Sequence, residues 1–288
     1  CLRIWPLYYA LLLFMFLVVP VLRPAEGHAV FEPRSSPWWA FPIFLQNFLL
    51  PIPTMATGAL GVTWSLAVEE QFYLVWPLVV RFFNESQLRK IAIATICVSP
   101  VVRLYLSLHH VNIYSNTFCR LDGLMAGALL AVVVRSVSFS PTKFLTRAWI
   151  ILLVSAPIAL AIDTAFHAQW IVFSFTALAS VSFVYLALFS TQKWLHAILT
   201  TRFLVYTGTI SYGIYLLEKI PLDAARSFHL DEHQLLALPV TAAVTYIMAI
   251  VSWNVLERPF LKLKRLFEPR TAPRDPLRDG VLELSRTQ

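Results

Sequence analysis

WSLAVEEQFYLVWP, residues 64–77, sets two adjacent carboxylates, Glu69 and Glu70, inside what otherwise reads as one membrane-spanning helix. An ionised carboxylate at the centre of a bilayer costs about 2.5 kcal/mol or more, so such a residue faces a polar cavity or a partner in a neighbouring helix. Two in succession make this helix the first place to look for function.

The rest of the chain supports a membrane reading. Hydrophobic residues make up 58% and charged residues 14% of the 288, with a mean hydropathy of +0.67; an ordinary soluble domain carries about 25% charge. Eight segments, near residues 4–22, 61–80, 91–108, 118–135, 148–164, 169–189, 203–221 and 235–256, approach the roughly 20 apolar residues that a span requires. Their runs lack the strict alternation of barrel strands. The expected fold is an all-α polytopic transmembrane bundle of about eight spans. Residues 40–52, AFPIFLQNFLLPI, are too short to cross and carry Pro42 and Pro51, so they read as a re-entrant or interfacial segment.

A net charge of +7 and a pI near 9.5 would suit nucleic acid, but the placement of the charge argues otherwise. With a cytoplasmic N-terminus, most of the 23 Lys plus Arg fall on inner loops and the tail, including Arg81, Arg89, Lys90, Lys143, Arg147 and the run from Arg258 onward. The outer connections hold Arg23, Arg34 and Arg226. This asymmetry is the positive-inside pattern. Counting residues 40–52 as a span would invert it. The chain is therefore expected as a multi-pass protein of the plasma (inner) membrane with its C-terminus in the cytoplasm and no nucleic-acid partner.

Residues 1–260 read as a single membrane domain, without the internal similarity that marks inverted-repeat transporters. Residues 261–288, rich in charge and proline, read as a basic cytoplasmic tail with little fixed structure. Cys1, Cys97 and Cys119 form neither a CxxC nor a metal spacing and read as packing residues. The chain opens on Cys1 with no signal-peptide pattern, which suggests that its beginning is missing. Asn84-Glu85-Ser86 matches a glycosylation sequon but falls on the cytoplasmic side. His229 and His233 lie four apart beside Asp231 and Glu232 without a third anchor, so no metal site is expected.

On a helix, Ser65, Glu69, Tyr73 and Trp76 share a face, and Glu70 points about 100° away. The carboxylates cannot converge as a glycosidase pair does. One faces a cavity and the other an adjacent helix; Glu69 and Glu70 are assigned in that order, and the reverse fits equally. A purely structural alternative pairs both with arginines of neighbouring spans, for which Arg103 and Arg120 are the candidates. FCRLDGLMAGALLA, residues 118–131, adds Asp122 and the pair Gly123 and Gly127, a spacing that allows close helix approach. Arg120 stays charged and is suited to bidentate contact with carboxylate or phosphate. In YTGTISYGIYLLEKIP, residues 206–221, Ser211, Tyr215 and Glu218 form a stripe with Tyr212 and Lys219 beside it; an aromatic belt is the alternative reading.

LRIWPLYY (2–9), WSLAVEEQFYLVWP, FCRLDGLMAGALLA, ISYGIYLL (210–217) and LERPF (256–260) occur in this order. Together they give the chain its resemblance to the acyltransferase 3 family, integral membrane proteins that O-acylate cell-envelope glycans such as lipopolysaccharide O-antigen. The resemblance implies transfer of an acyl group, chiefly acetyl, from cytoplasmic acyl-CoA to a hydroxyl of a polysaccharide or lipid-linked glycan, with no bound cofactor. The candidate catalytic residues are Glu69, Glu70, Ser65, Tyr73 and Arg120. The candidate substrate-binding residues are Arg3, placed near the CoA phosphates, with Trp64, Arg103 and Tyr215.

Two departures accompany the resemblance. The family's opening helix carries an arginine and a catalytic histidine that have no counterpart here, and Glu218 stands where a histidine usually follows ISYGIYLL. Acyl transfer needs a base for the alcohol proton and a stabiliser for the oxyanion. The missing histidine would be the base, Glu69 or Glu70 would orient its imidazolium, and Arg120 or a tyrosine would steady the thioester oxygen. The 288 residues alone are therefore expected to be inactive. A transporter or flippase of a lipid-linked saccharide is the rival that the buried charges allow, and a degenerate fragment that keeps the fold without chemistry is the third reading.

Overall fold

The computed structural model describes residues 2–22, 37–49, 54–136, 139–166, 168–227 and 234–267. Among these residues every regular element is helical, as the long apolar runs lead one to expect. Helix α1 (Trp5–Leu13) starts on Pro6, whose missing N–H costs nothing in a first turn, and continues through a π-helical turn, Phe14–Val18, to Leu22. The short α2 (Gln46–Leu49) precedes α3 (Thr63–Phe82), which carries both carboxylates. Then follow α4 (Glu85–Leu108), α5 (Leu121–Val134), α6 (Leu145–Phe166) and α7 (Gln169–Phe189). The chain closes with α8 (Lys193–Leu199), α9 (Arg202–Leu217), α10 (Lys219–Ser227), α11 (Gln234–Ser252) and, after a second π-helical turn at Trp253–Glu257, α12 (Arg258–Phe267).

Four described segments are long and apolar enough to cross a membrane: Glu85–Leu108, Pro141–Thr164, Gln169–Phe189 and Ala237–Leu263. Trp5–Val21 and Leu121–Val134 are apolar but shorter. The remaining two expected spans are helices outside this set: α3 because Glu69, Glu70 and Gln71 dilute its hydropathy, α9 because it has only 16 residues. Residues 40–49 do not span. They form a single 3-10 turn, Trp38–Ala40, a bend and then α2, with Ala40, Phe41, Phe44, Gln46 and Asn47 buried in the bundle.

Two cores hold the helices together. In the first, Leu7, Tyr8, Leu11, Leu12 and Met15 of α1 pack on Phe41 and Phe44, on Leu66 and Ala67 of α3, and on Leu216 and Leu217 of α9. In the second, Ala148 of α6 meets Tyr185 and Leu186 of α7 and Leu195 of α8. Asn84, the residue of the sequon, caps α4: its side chain accepts from Gln87 N at 2.9 Å while Gln87 Oε1 accepts from Asn84 N at 3.0 Å. This reciprocal box satisfies two donors that a helix start leaves free.

Three expectations change. Cys119 is buried, as a packing residue should be, whereas Cys97 is exposed on α4. Gly123 and Gly127 do not bring a helix close; nothing lies within 4 Å of the position a Cβ would take at either, and both are open. The last helix runs to Phe267, past the position where the tail was expected to begin. Cys1, Arg23, Arg34, His229, His233 and the tail beyond Phe267 lie outside the described residues.

Candidate functional site

The first two turns of α3 carry Trp64, Ser65, Glu69 and Glu70, and each faces a different neighbour. Ser65 Oγ lies 2.6 Å from the Tyr215 hydroxyl of α9. Both hydroxyls reach the Val62 carbonyl, at 3.3 and 3.1 Å. Two protons shared among three oxygens leave one hydroxyl donating to the other and the second donating to the carbonyl. The pair is thus set by backbone, and Ser65 and Tyr215, nominated from separate motifs, stand together.

Glu70 points to α1, where Trp5 Nε1 donates to its Oε2 at 3.0 Å; its Oε1 is buried without a hydrogen bond. Glu69 is half-buried, and among the described residues it makes no hydrogen bond and no ion pair. Glu70 thus faces the adjacent helix, one of the two assignments that the helical wheel allowed.

The arginines do not pair with these carboxylates. Arg103 is wholly buried. Its Nε donates to Trp170 O at 2.7 Å, Nη1 to Cys119 O at 2.6 Å, and Nη2 to Asp122 Oδ2 at 2.8 Å and to Ser174 Oγ. Asp122 and Ser174 face it because α5 and α7 both pack on α4, so Arg103 ties three helices together. Arg120 lies in an aromatic stack. Its guanidinium carbon is 3.5 Å from the Phe173 ring centre, 4.8 Å from Tyr114 and 4.9 Å from Trp64, and its Nε donates to Tyr114 O at 2.7 Å. Trp64 in turn packs on Tyr114, ring centres 5.0 Å apart. Stacked rings hold a guanidinium by its faces and leave its edges for hydrogen bonding.

Two nominated residues lie apart. Tyr73 is 51% exposed; eight positions beyond Ser65 on a helix of 3.6 residues per turn, it has drifted about 80° round the axis. Arg3 is exposed at the head of α1, with its Nη2 donating to Thr209 O of α9 at 3.2 Å. Beside it, Ile4 O accepts from the Tyr212 hydroxyl at 2.8 Å. Glu218 caps α9 at an exposed position and Ser211 bonds locally to Gly208 O.

A polar knot behind Glu70 escaped sequence reading. Gln71 Nε2 donates to Phe44 O at 2.6 Å and to Asn47 Oδ1 at 2.8 Å, and its Oε1 accepts from the Thr117 hydroxyl. Asn47 Nδ2 donates to Thr117 Oγ1 and Ser115 O at 2.8 and 3.1 Å, and Ser115 Oγ returns a bond to Asn47 O. Phe44, whose carbonyl Gln71 holds, has φ +57°, strained for a bulky residue. The signal available was the amides Gln46 and Asn47 in an otherwise apolar run, and Gln71 directly after the carboxylates.

The acyltransferase domain model of the acyltransferase 3 family matches residues 1–256. The chain is 27% identical over 264 residues to the peptidoglycan O-acetyltransferase OatA of Listeria monocytogenes, covering 84% of the chain and 41% of that protein. It is 24% identical over 223 residues to a putative O-acetyltransferase of Staphylococcus aureus (strain COL), covering 69% of the chain and 36% of the relative. The chain therefore spans less than half the length of either. No solved structure matches it. With a family match over residues 1–256 and several helices apolar enough to cross a membrane, the chain belongs to the acyltransferase 3 family of membrane-embedded acyltransferases.

Proposed function

We propose that this protein transfers an acetyl group from acyl-CoA to a hydroxyl of a cell-envelope glycan in the plasma membrane, with Ser65, Glu69, Tyr215 and Arg120 as the side chains that act on the reactants. The observation that carries the reading is the contrast between adjacent carboxylates: Glu70 is held by Trp5, while Glu69, one position away, is left without a bond. A carboxylate kept free in a membrane bundle is placed to meet a proton donor.

In the reaction the acceptor oxygen bonds to the thioester carbon as its proton passes to a base, and the carbon–sulfur bond then breaks to release the CoA thiol. Glu69 serves as the carboxylate that orients the histidine base implied by the family resemblance, which takes the acceptor proton, and balances the charge that the imidazole acquires. Arg120 steadies the carbonyl oxygen through its free N–H edge. The Ser65 and Tyr215 hydroxyls, as a coupled pair, position the acceptor. Trp64 keeps Arg120 in plane, and Arg3, exposed at the head of α1, binds the CoA phosphates. The Listeria relative is named for peptidoglycan; peptidoglycan and lipopolysaccharide are the two acceptor classes to compare.

The deciding experiment compares wild type with Glu69→Gln, both as the full-length protein in membranes, following label from acetyl-CoA into isolated envelope glycan after checking for equal folded protein. A loss of about 100-fold or more is expected, the range of acid–base assistance. Undiminished transfer by Glu69→Gln removes Glu69 from the mechanism. Glycan movement across the membrane without consumption of acetyl-CoA would replace transfer by translocation.

A further inference from the structure

Between α5 and α7 runs an open groove of about 370 Å3. Gly123 and Gly127 form its floor, and Phe173, Ala177, Val181 and Val184 line its wall. From Gly123 to Leu130 it follows α5 for about 10 Å, at the helical rise of about 1.5 Å per residue. Both helices are apolar, and α7 is one of the segments able to cross a membrane. The glycines thus leave this apolar surface open, with room at both positions that a side chain as large as leucine would fill.

The groove is charged at one end only. Arg120 borders it with its faces covered by three aromatic rings and its Nε edge taken by Tyr114 O. Among the described residues the two terminal guanidinium nitrogens make no hydrogen bond. Asp122, the acid on the same rim, is already neutralised by Arg103. The end of the groove is therefore net cationic with free donors, and a planar guanidinium edge matches two phosphate oxygens.

We infer that this groove holds an anionic phospholipid of the surrounding bilayer, one acyl chain lying over Gly123 and Gly127 and its phosphodiester meeting Arg120. Charge complementarity selects the occupant: an uncharged chain would fill the floor but leave the arginine edge unpaired. The wall is mainly apolar, Phe173, Ala177, Val181 and Val184 with Thr176 and Ser180 between them, which favours an acyl chain over a free sugar or a water-soluble anion. The headgroup takes the same Arg120 edge that the acetyl-transfer reading gives to the thioester oxygen, so lipid and acyl donor exclude one another there.

The test titrates the delipidated protein in detergent with phosphatidylglycerol, with phosphatidylcholine of the same chains, or with equimolar inorganic phosphate, counting bound molecules by native mass spectrometry. Phosphatidylglycerol is expected to bind about fivefold more tightly than phosphatidylcholine, what one basic residue adds at an anionic surface. Arg120→Gln should abolish that preference, and Gly127→Leu should reduce binding of both lipids by filling the floor. Because nothing lies within 4 Å of a Cβ at residue 127, Gly127→Leu should melt at or above the wild-type temperature, which separates a filled groove from a damaged fold. Equal affinity for the two lipids, lipid binding unchanged in Gly127→Leu, or displacement of phosphatidylglycerol by inorganic phosphate would each overturn the inference.

Discussion

Trp5 donates its indole N–H to Glu70 across 3.0 Å, so the aromatic that opens α1 holds the second of two adjacent carboxylates on α3. The bond joins two motifs 65 residues apart and fixes the rotation of α3 about its own axis. With Glu70 anchored, Glu69 is turned away from α1.

Removing the indole donor by Trp5→Phe should cost roughly 0.6 to 1.7 kcal/mol of stability, the range for hydrogen bonds between membrane helices. In a double-mutant cycle with Glu70→Gln, thermal unfolding in detergent should show strong non-additivity, since both changes break one contact. Additive losses would mean that the bond carries no coupling.

Arg103 and Asp122 form the buried ion pair that joins α4 to α5. Arg103→Ala should destabilise by about 3 to 5 kcal/mol, because it strands a carboxylate in the bundle. Arg103→Met combined with Asp122→Leu should recover most of that loss. Denaturant titration of the purified variants checks both, and a double variant as damaged as Arg103→Ala alone would contradict a charge-based explanation.

Gly213 and Gly127 should respond in opposite directions to one methyl group. A Cβ at residue 213 would lie 3.2 Å from Glu257 Oε1 and 3.3 Å from the Cα and Cβ of Ala249, where α9 packs on α11. Gly213→Ala should therefore cost about 1 to 3 kcal/mol by overpacking. Gly127→Ala, with open space around it, should gain about 0.5 to 1 kcal/mol from helix propensity. Melting temperatures of the two variants measured side by side decide the point.

Ser65→Ala and Tyr215→Phe each break the same 2.6 Å hydroxyl contact. Their effects on acetyl transfer should be similar in size, and the double variant should be little worse than either single one. Radiolabel incorporation rates supply the measurement; multiplicative losses would show that the hydroxyls act separately.

Hydropathy and charge placement reveal the helical bundle because both are sums over long windows, and the non-spanning character of residues 40–49 follows from their length. The wheel on α3 separates Glu69 from Glu70 because helical phase is fixed by residue count. Partner choice was hidden. Arg103 could reach either carboxylate on sequence grounds, and only the packing of α5 and α7 against α4 gives it Asp122 and Ser174 instead. A glycine pair four apart reads as a helix contact, yet here it faces open space, since the same spacing serves an interface or a groove. The knot around Gln71 depends on bends near residues 44 and 115, which carry no periodic signal.

That knot also dictates an order of assembly. Asn47 is held by Thr117, 70 residues further along the chain, and Gln71 sits between them. At roughly 5 to 20 residues per second, synthesis leaves Asn47 waiting about 4 to 14 seconds for its partner to emerge. In that interval the Asn47 amide has neither of its acceptors, Ser115 O and Thr117 Oγ1, and Gln71 lacks the Thr117 hydroxyl that completes its bonds. The knot beside the carboxylates is therefore completed only after α4 has been made, so this part of the site is finished late.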